Sequence, residues 1–231
     1  NDLEKKFTNA KLSNNKPYSS NDGKKILFYR QENSEDVSNE NNEVEVWESE
    51  IPWIEPKMKE YEKSERQMQL TAWYPETGEL IAIETEETPS SALDVNHKHA
   101  LVFDQMLYEP LYKEYYNADL YAKNMKTGEK LSVVQNQYAG PGFVNISPKG
   151  KYVVYFKNKH WWVYNTITKQ TSNLTKDLKV PFDNIESDRS GDVPPFGNPG
   201  WSSDEKYILL YDQYDIWLMS PDGSSKNRIT K

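Results

Sequence analysis

Asn145-Ile146-Ser147-Pro148-Lys149-Gly150-Lys151, followed at once by Tyr152-Val153-Val154-Tyr155-Phe156, decides the fold of this 231-residue chain. The first seven residues read as a tight turn, because Pro restricts φ and Gly admits φ > 0. The next five are β-branched or aromatic without a polar break, which predicts a strand buried on both faces. Asn158-Lys159 make a second turn, residues 161–164 return, and Asn173-Leu174-Thr175 close the unit.

The same unit recurs. A later copy runs Gly200-Trp201-Ser202-Ser203-Asp204-Glu205-Lys206, Tyr207-Ile208-Leu209-Leu210-Tyr211 and Asp215-Ile216-Trp217-Leu218, and finishes through Ser220-Pro221-Asp222-Gly223 and Arg228-Ile229-Thr230. Two weaker copies precede it. One holds Asn96-His97-Lys98, Ala100-Leu101-Val102-Phe103, Asp119-Leu120-Tyr121 and Leu131-Ser132-Val133-Val134. The first holds Asn21-Asp22-Gly23-Lys24, Ile26-Leu27-Phe28-Tyr29, Leu70-Thr71-Ala72-Trp73 and Leu80-Ile81-Ala82-Ile83. The turn lysines Lys24, Lys98, Lys151 and Lys206 fall 74, 53 and 55 residues apart. A propeller blade takes about 45 residues, so these are blades carrying insertions. A lone blade leaves two apolar faces wet, and stacking blades covers them.

The expected fold is therefore all-β, a partial β-propeller of about four blades with one short helical insertion. Residues 1–17 read as an irregular N-terminal segment. Blade 1 covers about 18–85, blade 2 about 90–135, blade 3 about 142–176 and blade 4 about 199–231. Two insertions interrupt the pattern. Residues 31–67 lie within the first blade's hairpin and contain the helix candidate, 56–68, with Pro56 suited to a first turn. Residues 176–199 hold Pro181, Pro194, Pro195, Pro199, Gly191 and Gly197 and read as a long structured loop.

Bulk composition narrows the partners. The formal net charge is −8 and the lysines are scattered, so no nucleic-acid partner is expected. The chain has no Cys, which excludes disulfides, thiolate catalysis and Cys-based zinc sites. No apolar run approaches the ~20 residues of a membrane span. Both ends read as cuts within a longer protein, so a targeting signal would lie in the missing part.

Residues from about 18 to 230 resemble the propeller of serine peptidases in the prolyl oligopeptidase and dipeptidyl-peptidase clan. They look most like the branch found in secreted proteins of the Bacteroides group. The residues that carry the resemblance are the Ile146–Lys151 turn segment, Tyr214-Asp215-Ile216-Trp217 with Pro221-Asp222-Gly223, Gly197-Asn198-Pro199-Gly200-Trp201, and Val44-Glu45-Val46-Trp47. The turn alone is shared with Tol-associated propellers, and the placement of the two insertions favours the peptidases. The resemblance implies a periplasmic or secreted parent whose propeller shields a hydrolase domain and admits short peptides. The implied partners are that peptidase domain and, indirectly, peptide substrates. Open blade faces add an expectation of self-association.

No catalytic, cofactor-binding or metal-binding residue is assigned, and no cofactor is expected. No Gly-x-Ser-x-Gly occurs, and Glu86-Glu87 sits in a charged turn without matching the helical acidic pair that holds a substrate amine in dipeptidyl peptidases. His97 and His99 occupy a turn slot with no third ligand nearby. His160 takes the place held by Asp119 and Asp215 in sibling blades, where a short polar side chain serves the backbone. Trp161, Trp162, Trp201 and Trp217 suggest an aromatic platform for a sugar or peptide, but repeat position assigns Trp162 and Trp217 to inter-blade packing. The candidate interaction loop is 176–199, through Asp183, Glu186, Asp188, Arg189 and Asp192, since propellers need only short connections. The alternatives are a protein-interaction scaffold with no attached enzyme and a carbohydrate-binding propeller.

Overall fold

In the computed structural model, which describes residues 10–32, 68–108, 115–188 and 191–230, the repeated unit forms four antiparallel sheets in chain order. The first contains β1 (Ala10–Leu12), β2 (Tyr18–Ser19), β3 (Ile26–Glu32), β4 (Met68–Tyr74) and β5 (Glu79–Ala82). The second contains β6 (Ser90–Leu93), β7 (His99–Phe103), β8 (Asn117–Asn124) and β9 (Lys130–Tyr138). The third contains β10 (Val144–Ile146), β11 (Tyr152–Lys157), β12 (His160–Asn165) and β13 (Gln170–Asn173). The fourth contains β14 (Gly200–Trp201), β15 (Ile208–Tyr211), β16 (Ile216–Met219) and β17 (Lys226–Arg228). Sheets two to four are simple meanders, each strand pairing with the next.

The turn that opens the third sheet shows why the chain folds locally as it does. Ser147 N–H donates to Tyr152 O at 2.8 Å, Tyr152 N–H returns a bond to Ser147 Oγ at 3.0 Å, and Gly150 sits at φ 69°. Ser20, Ser202 and Ser220 repeat both bonds with Lys25, Tyr207 and Ser225. Asp94 replaces the serine in the second sheet, its carboxylate accepting His99 N–H at 2.7 Å. The left-handed position, filled by glycine in three turns, is His97 (φ 52°) in the second sheet and Glu205 (φ 59°) in the fourth.

The sheets stack face to face through three buried clusters. Leu27, Leu70 and Ala72 of the first meet Ala100 and Val102 of the second. Leu101, Leu120 and Ala122 of the second meet Val153, Tyr155 and Tyr164 of the third. Val154, Phe156 and Trp161 of the third meet Ile208, Leu210 and Met219 of the fourth. Alternate residues of β7 and β11 thus serve opposite clusters, which is why these runs carry no polar break. Trp162 leans on the second cluster and Trp217 on the last, each between neighbouring sheets as repeat position predicts. Trp161 is fully buried.

A second seam links the turns themselves. Asn21 Nδ2 donates to Val95 O, and Asn96 Nδ2 to Pro148 O, both at 2.7 Å, while Lys149 N–H donates to Glu205 Oε1 at 2.5 Å. Each bond crosses from one sheet's first turn to the next.

Two expectations need correction. The N-terminal segment is not irregular through residue 17: Ala10–Leu12 pairs with Arg30, Gln31 and Glu32, covering the edge of β3 beyond the two residues that β2 pairs. An exposed strand edge recruits any extended chain within reach, whatever its local pattern. A third long stretch, 104–116, of which 109–114 lie outside the described residues, falls between β7 and β8 and interrupts the second unit unannounced. The helix expected over 56–68 lies outside the described residues, apart from Met68, which opens β4.

Candidate functional site

The connection from β13 to β14 spans 174–199 and closes into an arch pinned at its base. Phe182, 1% exposed, enters the cluster between the third and fourth sheets, its ring 6.3 Å from Trp217. Asn184 N–H donates to Pro194 O at 2.7 Å and Phe196 N–H to Phe182 O at 3.0 Å, so Asp183 and Pro195 form an isolated bridge across the arch. Prolines at 181, 194 and 195 reduce the freedom this long loop would otherwise lose on closing. At its tip Gly191 adopts φ 111° and lies so close to Tyr138 that a Cβ there would stand 2.6 Å from the phenol oxygen.

Opposite the arch is the hairpin turn between β11 and β12. Asn158 and Lys159 both take left-handed φ, 52° and 67°, the pattern of a two-residue type I′ turn. The turn carries Lys159 Nζ to 3.6 Å from Asp183 Oδ2. Between arch, turn and the end of β9 lies a cavity of about 550 Å³. Its lining includes Asn117, Gln137, Tyr138, Lys157, Lys159 and Asp183. Lys157 is held below the usual ammonium range by burial, with Asp119 and Asp192 opposing the shift. Its Nζ donates to Gln135 O at 2.6 Å and to Asn136 O at 3.1 Å.

Of the loop residues singled out from sequence, Asp183 and Asp192 line this cavity. Asp183 is buried, whereas Glu186, Asp188 and Asp192 are exposed, and Arg189 lies outside the described residues. Glu186 and Asp188 are not part of the lining. Sequence reasoning passed over Gln137, Lys157 and Lys159. The one local sign was Asn136, an Asn in a strand-like run, which sits at φ 46° next to Gln137.

The remaining candidates resolve into structural roles. His97 turns toward the first sheet, its ring edge-on to Tyr18 at 6.1 Å. His99 turns toward the third sheet, against Gly150, and lies 3.8 Å from Asp94; burial lowers its pKa. Among the described residues no three His, Cys, Asp or Glu side chains gather as metal ligands. His160 Nδ1 lies 3.2 Å from Thr175 Oγ1, and Asp215 Oδ1 accepts from Thr230 Oγ1 at 2.7 Å, so the two repeat positions do the same work. Asp119 Oδ1 accepts Asn136 N–H at 2.9 Å. Glu87 pairs with Lys130 at 3.0 Å on the surface. Trp201 stacks on Tyr152 at 5.2 Å, and Trp217 Nε1 donates to Asp212 at 2.7 Å, which ties both rings into the sheets. No helix among the described residues is long and apolar enough to cross a membrane.

Neither a protein-family model nor a curated protein sequence matches the chain. Solved structures do, and they are β-propellers. Dipeptidyl peptidase 4 of Porphyromonas gingivalis aligns over 99% of this chain and 34% of its own, with TM-score 0.50 and 11% identity. The β-propeller domain of the Trilobed protease from Pyrococcus furiosus aligns over 97% of this chain and 58% of its own, with TM-score 0.42 and 7% identity. A putative TolB from Agrobacterium tumefaciens aligns over 93% and 61%, with TM-score 0.40 and 16% identity. The chain thus spans between about a third and three fifths of the length of these structures. The likeness to the first establishes the propeller fold.

Proposed function

We propose that this chain is a non-catalytic propeller segment of a periplasmic or secreted serine peptidase, in which the 176–199 arch faces a hydrolase domain and gates the approach of short peptides. The observation that carries the reading is the arch itself. It is anchored through Phe182, bridged at Asp183 and Pro195, and roofs a cavity at one end of the blades. Blade-to-blade packing needs no such device, and structured loops on rigid scaffolds are where binding and gating concentrate. In the full-length parent, replacing residues 184–193 with a short Gly-Ser link should change relative activity toward peptides of different length. Activity unchanged across peptide lengths overturns the gating role.

The same reading treats the outward face of the fourth sheet as a blade-to-blade surface. Leu209 lies opposite Leu218 and Tyr211 opposite Ile216, on the side away from Ile208, Leu210 and Met219. All four are only partly buried. As an isolated segment the chain should self-associate through this face, with a mass by light scattering that rises with concentration. A constant monomer mass overturns it.

A further inference from the structure

A second cavity, of about 580 Å³, opens between the third and fourth sheets. It lies at the end opposite the arch, because alternate connections of an antiparallel meander fall at opposite ends and this cavity is walled by the β14–β15 and β16–β17 turns. The other sheets are tied shut here. Tyr74 Oη donates to Met125 O at 2.7 Å between the first and second, and Lys169 Nζ pairs with Glu129 at 3.1 Å between the second and third. The fourth sheet departs in sequence: its outer turn reads Ser220-Pro221-Asp222-Gly223, where the third sheet has Asn165-Thr166-Ile167-Thr168. Among the described residues no hydrogen bond or ion pair joins these two outer turns, and the cavity lies between them.

Two side chains more than nine-tenths buried bring unpartnered oxygens to this lining. Glu205, 4% exposed, accepts Lys149 N–H on Oε1, and its Oε2 has no donor among the described residues. Tyr152, 8% exposed, stacks on Trp201, and its hydroxyl has no hydrogen-bond partner among them either. Neither atom is sealed: both keep accessible surface, and both side chains line the cavity. Exposed Asp222 adds a third oxygen, since Ser220 Oγ, Ser224 Oγ and Ser224 N–H all donate to its Oδ1 and leave Oδ2 open. A buried carboxylate oxygen and a buried phenol are costly to leave without a partner.

Every charge in the lining bears on the choice of ligand. Three carboxylates, Asp204, Glu205 and Asp222, face two ammonium groups, Lys151 and Lys206. Lys206 is paired with Asp204 at 3.2 Å, and Lys151 Nζ lies 5.0 Å from the centre of the Tyr152 ring. His99, which also senses Glu205, is disfavoured as a cation by burial. The balance is one negative charge, Glu205 and Asp222 against Lys151, so an anion is repelled and a monocation attracted. A guanidinium suits the lining better than a compact ammonium. Its planar fork of donors offers one each to Glu205 Oε2, Asp222 Oδ2 and the Tyr152 hydroxyl, and its face can stack on Tyr207, which is 37% exposed.

We propose that this cavity binds a guanidinium cation, the side chain of an arginine in a peptide, through Glu205, Asp222 and Tyr152. At about 580 Å³ the space falls within the range of small-ligand sites. The assignment rests on the cavity's own groups and is independent of the arch and of any attached hydrolase.

The test uses this chain and three probes: Nα-acetyl-arginine amide, methyl α-D-glucopyranoside and Nα-acetyl-aspartate amide. Binding is followed by the NMR signals of the Asn165 and Gln170 side-chain amides, which line the cavity, up to about 50 mM, well past the millimolar end of specific affinity. The arginine amide should shift them saturably, and more weakly as salt is raised. Glu205→Gln keeps an acceptor for Lys149 N–H while removing the charge, and Asp222→Asn keeps an acceptor for its turn. Each should weaken binding by about fivefold or more, the loss of one charge-assisted hydrogen bond. Asp222 is exposed, so its variant reports binding even if Glu205→Gln disturbs the inter-sheet seam. Lys151→Met should bind at least as tightly as the parent, and Glu76→Gln, at the same end but outside the lining, should bind as the parent does. The proposal is overturned if the arginine amide does not saturate, or if either other probe binds as tightly. It is also overturned if Asp222→Asn leaves the affinity unchanged or Lys151→Met weakens it.

Discussion

Glu205, at a left-handed backbone position in the fourth sheet's first turn, takes the Lys149 N–H of the third sheet's equivalent turn on its carboxylate at 2.5 Å. The side chain is 4% exposed. Gly23, Gly150 and Gly223 fill this position in sibling turns, whereas Glu205, like His97, bears a strained backbone, here in return for an inter-sheet bond. Asn21 and Asn96 make the corresponding links between the earlier sheets through carbonyl acceptors.

The balance at Glu205 can be measured. Glu205→Ala keeps the left-handed strain and strands the Lys149 N–H, and should destabilise by about 1.5–3 kcal/mol, the range for hydrogen bonds to charged groups. Glu205→Gly loses the same bond but removes a strain of about 1–2 kcal/mol. Urea unfolding should therefore rank parent above Glu205→Gly above Glu205→Ala. If Glu205→Ala is as stable as the parent, the inter-sheet bond contributes nothing.

Gly150 offers the complementary case. At φ 69° an alanine is strained, and its Cβ would also collide with the His99 imidazole and the Asp94 carboxylate. Gly142, at φ 82°, has no neighbour within 4 Å of a built Cβ. Gly142→Ala should cost about 1–2 kcal/mol from backbone strain alone, whereas Gly150→Ala should exceed it by the further 1–3 kcal/mol or so of overpacking. Equal losses in chemical denaturation would mean that the second and third sheets separate freely at this point.

His99 gives the chain a pH dependence. Burial lowers its pKa, aided by Lys98, while Asp94 and Glu205 pull the other way. A depressed folded value means that the unfolded chain binds the proton more readily. The contribution is fully present above the unfolded value of about 6.5 and is lost as pH falls through the folded one. Melting temperature should drop between pH 7.5 and pH 5, and His99→Asn should flatten that segment of the profile. An unchanged slope in the variant would assign the acid sensitivity elsewhere.

Phe182 anchors the arch, so Phe182→Ala should cost about 3–5 kcal/mol as a large-to-small change in a packed core. It should also free the arch before the sheets. Limited proteolysis should then cut first within 184–193, at protease levels that leave the parent intact. Cleavage appearing at the same rate everywhere would show that the arch and sheets open together.

The amino-acid sequence by itself determined the repeat, the turns and the strand runs. Each is a short-range affair: Ser147, Gly150 and Tyr152 meet within five residues, and the alternation in Tyr152–Lys157 is set by the pleat. The two-residue turn at Asn158-Lys159 was legible for the same reason. Tertiary structure decided what faces what. Asp183, read as a polar residue on a loop, is buried because Phe182 beside it enters the core and turns the arch inward. Gln137 became a cavity residue because Tyr138 O and Phe156 O, the latter on another sheet, hold its amide. Asn96 and Pro148, or Lys149 and Glu205, meet across more than fifty residues of chain. No local pattern encodes such contacts, because they arise only when the sheets stack to bury their second faces.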